Sequence, residues 1–306
     1  MSTSTLSLGW LPDLPDFRDR DLNFDSVSPK AKSHGQQRSL KEMAKELGIA
    51  NTHHADLPGR RDLTRWCPPI ENQQSIGSCT ANAGVALLEY FERRAFGRHT
   101  DASRLFLYKA TRNLLQWQGD TGAYLRTTMA AMKLFGVPPE SYWPYDISRF
   151  DEEPSSFCYA FGQNYQALSY YRLDPNGISR HQLLDRIKTN ISRALPAMFG
   201  FTVYQSISQA SNDGRIPFPA RTERTQGGHA VVAVGYDDDK EIVNGSGNDR
   251  ITTQGALMIR NSWGESWGED GYGWLPYEYV LQGLAVDWWS LIRNEWVDTN
   301  RFGLND

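Results

Sequence analysis

The sequence predicts an α+β fold with a helix-rich first part, a strand-rich second part and a cleft available between the two lobes. Three observations carry this. Between Asp62 and roughly Tyr145 apolar residues recur at helical spacing, beyond Ala167 they gather into short continuous runs, and no repeat or low-complexity segment interrupts either part. In the helical part, Ala83, Ala86, Leu87, Tyr90 and Phe91 make one apolar stripe, with Glu89, Glu92, Arg93 and Arg94 arriving late. A second helix is expected from about Tyr124 to Phe135, stopped by Gly136-Val137-Pro138-Pro139. In the second part, residues 230–236 and 255–260 read as buried strands with Asp237-Asp238-Asp239-Lys240 as the turn between them. One further helix is expected around Ser179 to Ala194, and Asp287-Trp288-Trp289-Ser290-Leu291-Ile292 reads as a final core strand, followed by a packed tail through Glu295-Trp296-Val297.

Residues 1–58 read as an arm, with the opening Leu11-Pro12-Asp13-Leu14-Pro15-Asp16 and a polar stretch from Ser28 to Arg38. Ser39-Leu40-Lys41-Glu42 has capping-box spacing, Leu40, Met43 and Leu47 share a helical face, and Gly48 is placed to end the helix. A helix of ~8 residues is unstable alone. Two readings stand: the helix docks on the main body, residues 59–306, or the arm is a disordered leader carrying a chance pattern.

At 306 residues the length prior is roughly two domains. Lys+Arg 32 against Asp+Glu 36 leaves a net charge of −4, and basic residues cluster no further than Arg60-Arg61 and Arg93-Arg94. That balance argues against nucleic acid as a primary partner. No apolar run approaches the ~18 residues that span a bilayer, so no membrane partner is expected. The first nine residues lack a basic region followed by a long apolar one, which makes a poor secretory signal. Three cysteines cannot all pair, and with that signal the expectation is a cytoplasmic protein with thiols free for chemistry. The oligomeric state has no signature in the sequence.

Of the three thiols, Cys79 has a setting that chemistry uses. It follows the polar loop Gln73-Gln74-Ser75-Ile76-Gly77-Ser78 and precedes the apolar stripe, so it is expected at a helix N-terminus, where unsatisfied backbone N–H groups favour thiolate. The alternative is a small buried hydrophobe, the reading preferred for Cys67 and Cys158, with a disulfide between those two as a lesser possibility. A nucleophilic thiol needs a base. His34, His53, His54, His99 and His181 lie in the arm or in charged surroundings, whereas His229 stands in Gly227-Gly228-His229-Ala230 at the mouth of an apolar strand, where small neighbours leave its ring accessible. Asn261, at the end of the next strand, can accept the imidazole N–H and set its tautomer. A metal site built from Cys67, His53 and His54 lacks a second close Cys/His pair, so no metal and no cofactor is expected.

These segments together resemble the papain family of cysteine peptidases. Gln73 stands six residues before Cys79 in a Gly-Ser-Cys context, His229 follows 150 residues later, and Asn261-Ser262-Trp263-Gly264-Glu265-Ser266-Trp267-Gly268-Glu269-Asp270-Gly271-Tyr272 matches a highly specific family string. The resemblance covers about residues 66–275 and implies two lobes: a helical one over about 66–165, and an antiparallel, β-barrel-like one over about 166–295. It implies that Cys79 attacks a peptide carbonyl, that His229 moves the proton, that Asn261 orients His229, and that Gln73 and the Cys79 N–H hold the oxyanion. Trp263 would cover the Asn–His bond, and Gly122, Ala123, Gly228 and Trp263 would line the substrate path of a peptide or protein. Three departures stand out. Ile76 and Asp120 occupy the places of a cysteine pair often bridged in the family, Thr80 replaces a tryptophan, and Ala123 replaces a cleft glycine. Both halves of the bridge are absent together, which fits a reducing compartment and leaves the helical lobe to be held by packing. The opening segment with Trp66-Cys67-Pro68-Pro69 looks like the bacterial branch with a short leader, the xylellain-like group. The expectation is that residues 1–58 restrain access to Cys79, with cleavage near Leu57-Pro58-Gly59-Arg60-Arg61; the alternative is a structural arm that is never removed. A catalytically silent binding protein and a transpeptidase using the same thiol are the competing functions.

Overall fold

The computed structural model describes residues 7–29, 32, 36–50, 57–163, 169–247 and 250–292. His34, His53, His54 and the segment Glu295-Trp296-Val297 lie outside the described residues. The helical part contains α2 (Cys79–Phe96), α3 (Arg104–Leu115), α4 (Leu125–Phe135) and α5 (Ser156–Gly162), preceded by α1 (Leu40–Glu46) and the short strand β1 (Arg60–Asp62). Then follow β2 (Ser169–Arg172), α6 (Arg180–Ser192), β3 (Ala197–Tyr204), β4 (Thr225–Asn244), β5 (Ile251–Arg260), β6 (Tyr272–Pro276), α7 (Tyr277–Leu281) and β7 (Ala285–Ile292).

The expected helices at Cys79, Tyr124 and Ser179 form within a residue or two of those positions. In α2 the stripe residues are buried, and so are Glu89 and Arg94, because α3, α4 and the sheet cover this helix on several sides. Glu89 accepts the Ala102 N–H at 2.9 Å, and burial pushes its carboxyl up to about 8. Gly97, at φ +70°, takes the left-handed position that closes the helix.

The strands form one antiparallel sheet in the order β2-β7-β3-β4-β5-β6, with β1 added to β4. It is an open sheet rather than a closed barrel. One sequence expectation fails here. Asp237-Asp238-Asp239-Lys240 is no turn: β4 runs through it with a register shift between Asp237 and Glu241. The acidic run is tolerated inside a strand because Asp238 accepts from Lys188 Nζ at 2.7 Å and from the Tyr277 hydroxyl at 2.6 Å. The final core strand is as expected, and Trp288 stacks on Phe199 with ring centroids 3.8 Å apart.

The capping box of α1 is complete: Glu42 N–H donates to Ser39 Oγ at 3.2 Å and Ser39 N–H to Glu42 Oε2 at 2.7 Å. Leu40, Met43, Ala44, Leu47 and Ile49 are buried, so this part of the arm is docked. Further on, residues 57–59 lead into β1, whose Arg60, Arg61 and Asp62 pair with Asp237, Tyr236 and Gly235. The three cysteines are free and buried; Cys67 Sγ sits 3.8 Å from the Leu63 carbonyl oxygen, and burial pushes its thiol up to about 11.

Candidate active site

Cys79 opens α2, His229 lies on β4 and Asn261 directly follows β5. Pairing between β4 and β5 sets Val232 opposite Arg260, which brings the ends carrying His229 and Asn261 together. His229 Nε2 and Asn261 Oδ1 are 2.7 Å apart, and the same oxygen accepts the Ser262 N–H at 2.8 Å. Since that oxygen only accepts, Nε2 carries the proton and Nδ1 keeps its lone pair. Nδ1 is buried and has no hydrogen-bond partner among the described residues. Trp263 stacks on the imidazole with centroids 4.3 Å apart and planes 19° apart, and Trp267 meets Trp263 edge-on. The Asn–His bond is thereby shut away from water, where it is strongest.

Gln73 is held from all sides. Its N–H donates to the Ser262 carbonyl at 2.8 Å, its Oε1 accepts the Ser262 hydroxyl at 2.7 Å, and its carbonyl accepts the Tyr145 hydroxyl at 2.9 Å. The remaining group, Nε2, donates to the Ile76 carbonyl at 3.0 Å and to the Ser7 carbonyl at 3.1 Å. The supporting roles of Ser262 and Tyr145 have no signature in the sequence, although Ser262 lies inside the Asn261 string.

Asp120 replaces one half of the absent cysteine pair and accepts the Gly77 N–H at 2.8 Å and the Tyr108 hydroxyl at 2.5 Å. The lobe is therefore fastened at this point by hydrogen bonds as well as by the packing expected. Asp120→Ala is expected to lower the unfolding free energy by about 2 kcal/mol, since it strands two donors beside the Cys79 loop; urea denaturation measures the loss.

The arm runs through the site. Trp263 Nε1 donates to the Ser7 carbonyl at 3.3 Å, and Gly9 and Trp10 N–H both point to the Gly228 carbonyl at 3.1 Å. Ala123 N–H donates to the Gly9 carbonyl at 2.8 Å, and Leu11 N–H to the Ala123 carbonyl at 3.1 Å, so Trp10 bridges Ala123 in parallel. Gly122, at φ +71°, has no room for a side chain: a Cβ there would sit 2.1 Å from the Gly9 carbonyl oxygen. Thus Gly122, Ala123, Gly228 and Trp263 all contact the arm.

This cover reverses two sequence expectations. Cys79 is fully buried, and burial pushes its thiol up to about 12. Desolvation here outweighs the helix N-terminus that was expected to favour thiolate. The His229 ring is likewise closed in rather than accessible, at 1% exposure, and burial pulls it down to about 4. With the arm in place, both groups are neutral at pH 7.

A model of papain family cysteine proteases matches residues 57–282. The chain is 30% identical over 320 residues to the uncharacterized peptidase C1-like protein L477 of Acanthamoeba polyphaga mimivirus, covering 100% of this chain and 94% of that protein. Among solved structures it resembles xylellain, a cysteine protease from Xylella fastidiosa, with a TM-score of 0.70 and 32% identity over 96% of this chain and 99% of that one. Procathepsin L 3 of Tenebrio molitor larval midgut, at 19% identity and TM-score 0.58, shares the fold over 79% of this chain and 72% of its own. Among the described residues no helix is long and apolar enough to cross a membrane, and no group of three or more His, Cys, Asp or Glu residues is placed to hold a metal.

Proposed function

The chain belongs to the papain family of cysteine proteases, and from that premise we propose that it hydrolyses peptide bonds through a thioester on Cys79 and is kept latent by the first residues of its arm. The observation that carries the reading is the His229–Asn261 bond, which pins Nε2 and leaves a buried Nδ1 lone pair with no partner among the described residues. Once the arm moves aside, Nδ1 takes the Cys79 proton, and the thiolate forms a bond to the substrate carbonyl carbon. The oxygen of that carbonyl gains the negative charge and is held by Gln73 Nε2 and the Cys79 N–H. His229 then returns the proton to the leaving nitrogen as the C–N bond breaks, and takes one from water as the thioester is hydrolysed.

Latency rests on how the arm lies. Gly9 gives its N–H to the Gly228 carbonyl and its own carbonyl to the Ala123 N–H, so both its polar groups are tied to the walls of the cleft and the segment lies pinned over Cys79. Opening the site needs only residues 7–11 to leave, because α1 is anchored by its own buried face. A reducing, cytoplasmic setting is supported by the three free thiols and by Asp120 in place of a bridged cysteine. Retention of Cys79, His229, Asn261 and Gln73 favours hydrolysis over a silent binding role, while transpeptidation differs only in which amine or water meets the thioester.

An epoxide that alkylates papain-type thiols tests the reading by mass spectrometry. Labelling is expected on Cys79 of the wild type, slowly, and on none of the cysteines in Cys79→Ser. Absence of label on Cys79, also after the arm has been loosened by Trp10→Ala, overturns catalysis by this thiol.

A further inference from the structure

The two groups that would hold the oxyanion come from opposite ends of one short loop. Gln73 and Cys79 stand six residues apart in the chain, and Gln74 between them is at φ +55°, in the left-handed region that a non-glycine residue seldom adopts. Such a loop relaxes unless its surroundings hold it. Asn72 holds one end, where its Oδ1 accepts the Gln74 N–H at 2.8 Å. Across the loop the brace is Tyr145. Its hydroxyl donates to the Gln73 carbonyl at 2.9 Å and has one proton only, so in its 2.6 Å contact with Ser78 Oγ the serine is the donor. Ser78 Oγ in turn accepts from Asn82 Nδ2 at 3.0 Å. Proton donation thus runs one way, from Asn82 on α2 through Ser78 and Tyr145 to the Gln73 backbone, and such chains strengthen their own links. Gln73 and Ser78 have no exposure. The ring of Tyr145 is fixed as firmly as its hydroxyl: the Arg104 guanidinium carbon lies 4.1 Å from its centroid, and Arg104 is itself held by Glu71 at 2.7 Å and Glu140 at 2.9 Å.

We propose that, in the peptidase reading on which this rests, Tyr145 is a positioning residue of the oxyanion site, setting the aim of Gln73 Nε2 and the Cys79 N–H by bracing Gln73 against Ser78. It acts through these two residues and not on the peptide. Without the phenol oxygen, the Gln73 carbonyl and the Ser78 hydroxyl lose the partner they share, and the loop is free to relax at Gln74. Both oxyanion donors are still present, but they no longer stand where the charge develops. Donors fixed in advance are what makes such a site effective, and a small misplacement is costly.

Tyr145→Phe keeps the ring under Arg104 and removes only the hydroxyl. In the full-length Trp10→Ala chain acting on a peptide coumarylamide, kcat is expected to fall about tenfold with KM within about twofold of the parent, a smaller loss than deletion of a donor. Alkylation of Cys79 by iodoacetamide forms a carbon–sulfur bond without an oxyanion, so its rate is expected to stay within about twofold; it reads thiol, base and access alone. Ser78→Ala cuts the same brace from the other end and is expected to reproduce the split, which keeps the test decisive if Tyr145→Phe fails to fold. Tyr159→Phe, which removes a hydroxyl bonded to Glu153 at 2.7 Å in the same lobe, is expected to leave kcat unchanged. An unchanged kcat in Tyr145→Phe or Ser78→Ala overturns the proposal and leaves the peptidase reading intact. So does an alkylation rate that falls in step with kcat, because Cys79 itself has then been disturbed. A parent chain that cleaves no coumarylamide and takes no label on Cys79 removes both.

Discussion

His229→Ala is expected to lower kcat/KM on a peptide coumarylamide by roughly four orders of magnitude, with urea denaturation showing that the protein remains folded. In the Trp10→Ala background, where the cleft is open, the arm does not limit the rate. The size of the loss follows from the geometry. Nδ1 has no hydrogen-bond partner among the described residues, so no second group stands by to take the thiol proton. Asn261→Ala, by contrast, removes one buried hydrogen bond that sets the tautomer, and the loss expected is about 10- to 100-fold. Gln73→Ala strips a donor from the developing oxyanion and is expected to cost about 10²–10³ in kcat. The ranking is the sharper check. A His229→Ala enzyme within tenfold of its parent would mean that the proton moves by another route, and the catalytic assignment would fail.

Why the proposed catalytic quartet is legible in the sequence is a matter of local constraint. Cys79 must open a helix after a tight loop, Gln73 must reach back over six residues, and Asn261 must end the strand beside the one that carries His229; each requirement leaves a short string of residues. The elements follow in the same way from periodicity, and the capping box at Ser39 forms as its spacing predicts. What escapes the sequence is long-range and cooperative. Trp10 meets Asp287 across 277 residues, and nothing near either residue announces the contact. Asp237-Asp238-Asp239-Lys240 carries the composition of a turn, yet tertiary partners on α6 and α7 hold it in a strand. The state of Cys79 escapes the sequence for a related reason. A helix N-terminus is a local property that favours thiolate, whereas desolvation is imposed by a segment seventy residues upstream, and the larger effect wins.

Trp10→Ala is expected to raise the activity of the full-length chain by about 10²-fold. Truncating a buried tryptophan costs about 3–5 kcal/mol, and here that cost falls on the closed arrangement alone, since residues 7–11 are the part that must leave. Each 1.4 kcal/mol is tenfold in the open fraction, so even the lower figure gives two orders of magnitude before the open state saturates. Loss of the indole N–H adds to this by leaving Asp287 Oδ2 unpaired while the arm is closed. Loosening at random would produce a different pattern. Leu22 is also buried, in the stretch of arm between the plug and α1, and Leu22→Ala is expected to lower the unfolding free energy by about 2–5 kcal/mol with little gain in activity, because its contacts persist when residues 7–11 swing away. Activation by Trp10→Ala and not by Leu22→Ala, read side by side as kcat/KM and as urea midpoints, assigns latency to the plug. Equal activity in Trp10→Ala and wild type would show that the arm does not hold the site closed, and equal activation by both variants would make latency a property of the whole arm.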